Sequence, residues 1–124
     1  MKEKGLTRIE TGYLPKSLNV VLTMHRIAQR RYLRKCKGDT KMLLYEKGNS
    51  RPKRPYKKAE MMMTFIFPDN RIRDFDNYIG GAKGFVDGIK LGKVIEDDSW
   101  QKLKVKYDAE IGPRANTIIE IREL

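Results

Sequence analysis

Residues 61–109 limit the fold more than any other part of the chain, because three hydrophobic periods follow one another there. MMMTFIF (61–67) is a short apolar run of strand length, and Pro68-Asp69-Asn70 closes it. Tyr78, Ile79, Ala82, Phe85, Val86 and Ile89 then fall on one helical face, with Asp76 read as the N-cap. Next, Leu103, Val105, Tyr107 and Ala109 alternate with Lys102, Lys104, Lys106 and Asp108, the pattern of a half-buried strand. Residues 112–116 (GPRAN) read as a turn and TIIEI (117–121) as the returning last strand, so the chain is expected to end in a hairpin.

Upstream, residues 7–14 form an expected first strand ended by Pro15. Ser17 or Asn19 opens a helical stretch reaching roughly Glu46, with Val20, Val21, Met24, Ile27, Ala28, Tyr32, Leu33 and Cys36 at three- and four-residue spacings. Gly38-Asp39 is a candidate break or kink. Residues 48–58 (GNSRPKRPYKK) read as a loop. The expected class is α+β: one domain over 1–124, a small mixed sheet and two main helices, in the order β-α-β-α-β-β. Gly80, Gly84 and Gly88 recur every four residues. Each costs about 1 kcal/mol against Ala in a helix interior, so the stripe is either a close approach of another backbone, such as a partner subunit's, or a weak helix.

Charge narrows the partner. The chain carries a formal net charge of +11. Residues 1–60 hold 17 Lys and Arg against 5 Asp and Glu, while residues 61–124 hold 10 against 11. The first half is suited to a polyanion, and the second half gathers the acids. No apolar run is long enough for a membrane span, and MKEKG lacks the apolar stretch of a secretory signal. One cysteine and one histidine make neither an intramolecular disulfide nor a four-ligand zinc site, which fits a cytoplasmic setting. Cys36 reads as a small apolar residue, His25 as a polar helix residue, Met61 to Met63 as strand core, and Trp100 as a core or dimer anchor.

The acids are spaced for chemistry. Arg71-Ile72-Arg73-Asp74-Phe75-Asp76-Asn77 sits where a strand hands over to a helix, and D-x-D sets two carboxylates on one side of an extended chain. Glu96-Asp97-Asp98 follows the helix and is expected to fold back towards the pair. Three carboxylates within ~4 Å would repel by ~4 kcal/mol per pair at a surface-like dielectric, which calls for a cation. Hard oxygen ligands suit Mg²⁺ or Mn²⁺. A bare D-x-D-N at a helix start is also explained by an N-cap and a turn acid.

R-x-R-D-F-D-N, a helix holding A-K-G-F-V-D-G-I, and then E-D-D-S together resemble the signature of the RusA-like Holliday junction resolvases, a family of crossover junction endodeoxyribonucleases. Pro15-Lys16-Ser17-Leu18-Asn19 is similar to the family's early segment, and the likeness spans roughly residues 11–122. The resemblance implies a homodimer that nicks two strands of a four-way DNA junction symmetrically with Mg²⁺ or Mn²⁺, in recombination, repair or phage DNA processing, with no small-molecule cofactor. Asp74, Asp76 and Asp98 match the metal-binding acids, Asp97 the accessory acid, and Lys83 the catalytic helix lysine. This chain departs from the pattern in that Gly80 stands at the family lysine's distance from Asp76. Lys83 follows three residues later, nearly one helical turn, which would leave it on roughly the same face.

The expected DNA contacts are Arg71 and Arg73 beside the acids, Arg30, Arg31, Arg34 and Lys35 on the first helix, and Arg51, Lys53, Arg54, Lys57 and Lys58 in the loop. The alternatives are a non-catalytic DNA-binding protein on the same fold, and a nuclease of the same chemistry acting on flaps or forks.

Overall fold

The computed structural model describes residues 4–46 and 51–124. Its elements are β1 (Leu6–Glu10), α1 (Leu18–Thr23), α2 (Arg26–Tyr45), β2 (Ala59–Phe67), α3 (Phe75–Gly81), α4 (Lys83–Leu91), β3 (Leu103–Ile111) and β4 (Asn116–Glu123). The class is α+β, with one four-stranded mixed sheet in the order β1-β4-β2-β3. Of the loop expected at 48–58, residues 48–50 lie outside the described residues, and the remainder is irregular apart from a bridge between Tyr56 and Ile95.

Each expected main helix is two helices. Ser17 caps α1, its side chain accepting from Val20 N, and the chain then turns at Met24. His25 restarts it as the N-cap of α2, with Nδ1 accepting from Ile27 N. Gly38-Asp39 does not interrupt α2, which continues to Tyr45. The second helix breaks at Ala82, directly after Gly80-Gly81, where weak helix formers concentrate. Packing reinforces the break, since any Cβ on Gly81 would strike the Lys16 carbonyl.

The last two strands are not a hairpin. β3 pairs with β2 in parallel, Ala59 opposite Leu103 and Phe67 opposite Ile111, whereas β4 lies antiparallel on the other side of β2. The turn at 112–115 therefore steps over the end of β2, where Gly112 N donates to Phe67 O at 2.9 Å. Neighbouring strands are ~4.8 Å apart, so skipping one requires roughly 10 Å, within reach of four residues.

Alternate residues of the sheet meet the helices in rows that cross all four strands. One row is Ile9, Ile119, Met63, Tyr107, and the next is Thr7, Ile121, Met61, Val105. Phe85 and Ile89 from α4 and Cys36 and Leu44 from α2 close this core, each fully or almost fully buried. Burial of such side chains contributes about 1.5–3 kcal/mol apiece. Met61 and Met63 are strand core as read, but Trp100 is 82% exposed and belongs to no core.

The glycine stripe packs within this chain and not against a partner subunit. A Cβ on Gly84 would stand 2.7 Å from the Cys36 Cβ and 3.1 Å from Leu33 O, both on α2. Gly88 meets Thr40 and Gly92 meets Leu44 in the same way, so α4 lies backbone-close along α2.

Candidate functional site

The segment leaving β2 is organised by a residue that the sequence did not single out. Asp69 Oδ1 accepts from Arg71 N (3.1 Å), Arg71 Nε (3.1 Å) and Arg73 Nη2 (2.8 Å). These hydrogen bonds, the Arg71 amide first, hold the Asp69 carboxyl down at about 2. Its only advance signal was the Pro68-Asp69-Asn70 turn, where an Asp side chain commonly bonds the amide two residues on.

Arg73 is consequently turned inward. Its guanidinium lies 4.6 Å from the Phe67 ring centroid and donates to the Asp69 and Arg71 carbonyls, and its side chain is only 12% exposed. It braces the loop and does not offer itself to a phosphate, contrary to the sequence reading. Arg71 keeps 76% of its side chain exposed.

Asp74, not Asp76, is the N-cap of α3. One oxygen accepts from Asp76 N (3.1 Å) and the other from Asn77 Nδ2 (2.9 Å). A carboxylate has about four lone-pair sites, so these bonds leave Asp74 acceptor capacity facing solvent. Asp76 stands exposed in the first helical turn.

Asp97 and Asp98 lie elsewhere. Glu96 N donates to Tyr56 O and Ala59 N to Lys102 O, which ties this loop to the Ala59 end of β2. Phe75, beside Asp74, packs edge-on against Phe65, near the Phe67 end. A nine-residue strand, on the order of 25 Å long, runs between the two ends. The cause is the parallel β2–β3 pairing, which makes α3 and α4 a crossover that starts at one end of the strands and finishes at the other.

At the Ala59 end the counter-charge is Lys90, another residue missed from sequence. Its Nζ is 3.3 Å from Asp97 and 3.6 Å from Asp98. Hydrogen bonding to Asp97, with the charge of Asp98 behind it, raises the Lys90 pKa, and the same bond lowers that of Asp97. Among the described residues, no three His, Cys, Asp or Glu side chains are close enough to hold a metal ion. One chain thus supplies a two-carboxylate set, Asp74 and Asp76, whose chemistry suits a hard cation that keeps its waters and shares a phosphate. It does not add Asp97 or Asp98 to them.

Lys83 opens α4 and is exposed, 3.8 Å from Asp87. The break at Ala82 separates it from the helix carrying Asp76, so the expected one-turn shift on a continuous helix does not apply.

The basic residues are largely available. Arg30, Arg31 and Arg34 are exposed on α2, and Arg30, Arg34 and Lys37 line a groove of about 210 Å³ together with Leu33 and Asp87. Lys35 is paired with Asp39 at 2.9 Å and lies over the Tyr13 ring. Arg51 stacks on Tyr45 at 4.1 Å. Lys53 is exposed, and Arg54, Lys57 and Lys58 line a cleft of about 490 Å³ with Pro55, Glu123 and Leu124. No helix among the described residues is long and apolar enough to cross a membrane.

Comparison with protein-family models and with curated proteins gave no match to this chain.

Proposed function

We propose that this protein is a metal-dependent endodeoxyribonuclease acting on branched DNA, the four-way junction first among its substrates, in recombination, repair or phage DNA processing. The observation that carries the reading is the solvent-facing Asp74–Asp76 pair at the start of α3, beside exposed Arg71, in a chain of net charge +11. Carboxylates disfavour phosphate unless a cation lies between them. A divalent ion bound there would supply an activated water and charge stabilisation at the scissile phosphate.

The chain's own residues then have separable tasks. Asp74 and Asp76 provide hard oxygen ligands, and Asn77 and the Asp76 amide orient Asp74. Arg71 reaches the phosphate next to the cut. The exposed bases of α2 and of residues 53–58 hold the flanking backbone, a sequence-independent attraction that suits recognition by shape.

The test is incubation of a synthetic four-way junction with Mg²⁺ or Mn²⁺ beside linear duplex and a flap. Paired symmetric nicks confined to the junction are expected. Asp74→Asn should still bind but lose at least about 100-fold in cleavage, with the helix intact because Asn caps as well as Asp. Cleavage unchanged in that variant would remove the site.

A second reading, a non-catalytic DNA-binding protein, is favoured by one observation: Asp97 and Asp98 share the counter-charge of Lys90, as surface acids of a binding protein would. Tight junction binding without cutting in either metal would select it.

A further inference from the structure

Trp100 is the only tryptophan of the chain, and it is 82% exposed. Every other aromatic side chain has a place inside the fold or a partner on its surface. Tyr13 and Phe85 pack ring against ring, and Phe67, Phe75, Tyr78 and Tyr107 gather around Phe65. Tyr32 and Tyr56 are buried, and Tyr45 lies under the Arg51 guanidinium. An indole left in water forgoes one of the largest apolar burials that a side chain offers.

The backbone that carries this ring is fixed. Lys102 N and Leu103 N both donate to Ser99 O, at 3.0 and 2.9 Å, which closes a tight turn with Trp100 at its first corner. Two further contacts pin the turn: Lys102 O accepts from Ala59 N at 2.9 Å, and Lys102 Nζ lies 3.0 Å from Glu96 Oε2. A ligand that meets the ring therefore has little chain to order.

The surroundings show what suits it. Asp97, Asp98 and Ser99 precede Trp100 and Gln101 and Lys102 follow it, so its chain neighbours are not those of an apolar protein-binding core. The two acids already share Lys90. Beyond Lys102 lies Lys58-Ala59, and on the other side of that segment Lys58 O accepts from Leu124 N. The same segment borders the cleft of about 490 Å³ lined by Arg54, Lys57 and Lys58. A bare π face thus stands at the same end of the sheet as a concentration of cations. That pairing fits single-stranded nucleic acid, in which the cations follow the phosphates and the ring takes a base that a duplex keeps inside its stack.

We propose that Trp100 stacks on an unpaired base of a DNA strand whose phosphates lie along the cleft of Arg54, Lys57 and Lys58. The inference rests on the DNA-binding reading above and adds a substrate feature to it, unpaired bases at or beside the branch. Stacking is indifferent to base identity, because every base has a π face. Trp100 therefore reads strandedness and not sequence.

The single indole is its own probe. The full chain is titrated with oligo(dT) and with a blunt linear duplex, without divalent metal so that nothing is cut. Indole emission is read beside the anisotropy of the labelled DNA. Oligo(dT) should quench the emission as it binds, whereas duplex should bind with emission nearly unchanged. Trp100→Ala should weaken oligo(dT) binding on the order of tenfold, as loss of one base–aromatic stack does, and Trp100→Phe should keep most of the affinity. Duplex affinity should be the same in all three proteins. Oligo(dT) that fails to bind, or binds without changing the emission, overturns the proposal and leaves duplex binding standing. Equal loss of oligo(dT) and duplex affinity in Trp100→Ala does the same. A chain that binds neither DNA overturns the DNA-binding reading as well. Emission that shifts with protein concentration in the absence of DNA assigns the ring to a contact between copies, which also overturns the proposal.

Discussion

Gly88 and Thr40 face each other across the α2–α4 contact so closely that a Cβ on Gly88 would stand 2.5 Å from the Thr40 Cβ and 2.7 Å from Lys37 O. Gly38, on the same α2, has nothing within 4 Å of its would-be Cβ. Opposite results follow from one substitution. Gly88→Ala should destabilise by about 1–2 kcal/mol, overpacking outweighing the gain in helix propensity. Gly38→Ala should stabilise by about 0.5–1 kcal/mol. Urea midpoints of the two variants check both signs.

Arg73 is a bracing residue, so its loss belongs in stability and not in affinity. Arg73→Ala removes the contact with the Phe67 ring and the hydrogen bonds to the 69–71 loop, and should cost about 1–2 kcal/mol. Junction affinity per folded molecule should stay unchanged. Arg71→Ala should do the reverse, weakening binding with little change in the urea midpoint.

Acid should weaken the fold through Asp69 only at the low end of the carboxylate range. Its folded pKa of about 2 lies below the ~3.9 of an unfolded Asp, so its contribution is complete above about pH 4. That contribution is lost as pH falls through about 2. Asp69→Asn should flatten this limb of a stability–pH curve, and 0.5 M salt should shrink the difference because the pair is solvent-screened.

The exposed bases predict a steep salt dependence of binding. If six of them meet phosphates, log Kd against log salt should have a slope of magnitude about 5. Lys57→Ala and Lys58→Ala should each lower that magnitude by about 0.9, equally for junction and duplex. Titration at several salt concentrations measures it.

Local periods were legible from the chain, and adjacency was not. The strand alternation of Leu103 to Ala109 appears where it was read, and the apolar face of Tyr78 to Ile89 is divided between two helices that meet at Ala82. The turn at 112–116 was also real, yet a turn does not say which strand the chain joins next. A better signal was present: Thr117 to Ile121 carries three isoleucines, suited to an interior strand, while β3 alternates charges suited to an edge. The helix break at Met24–His25 escaped because His is a poor N-cap signal. The candidate site was half legible. Asp74, Asp76 and Arg71 are all exposed around the start of α3, but the fold-back expected of Asp98 presumed that its helix returned to where it started. A parallel β2–β3 pair forbids that within one chain, and parallel pairing leaves no local mark in sequence.

The strand order has a price in time. β1 pairs only with β4, Leu6 opposite Arg122, and β4 also separates β1 from β2. A nascent chain that has passed residue 111 but not yet made β4 already possesses every helix and the β2–β3 pair. Its first strand still has nothing to bind. At ~5–20 residues per second of synthesis, Ile9 stays without its place in the sheet and the β2 edge on the side away from β3 stays open until the last strand is inserted between them, so this protein should depend on chaperones during its own translation more than its size implies.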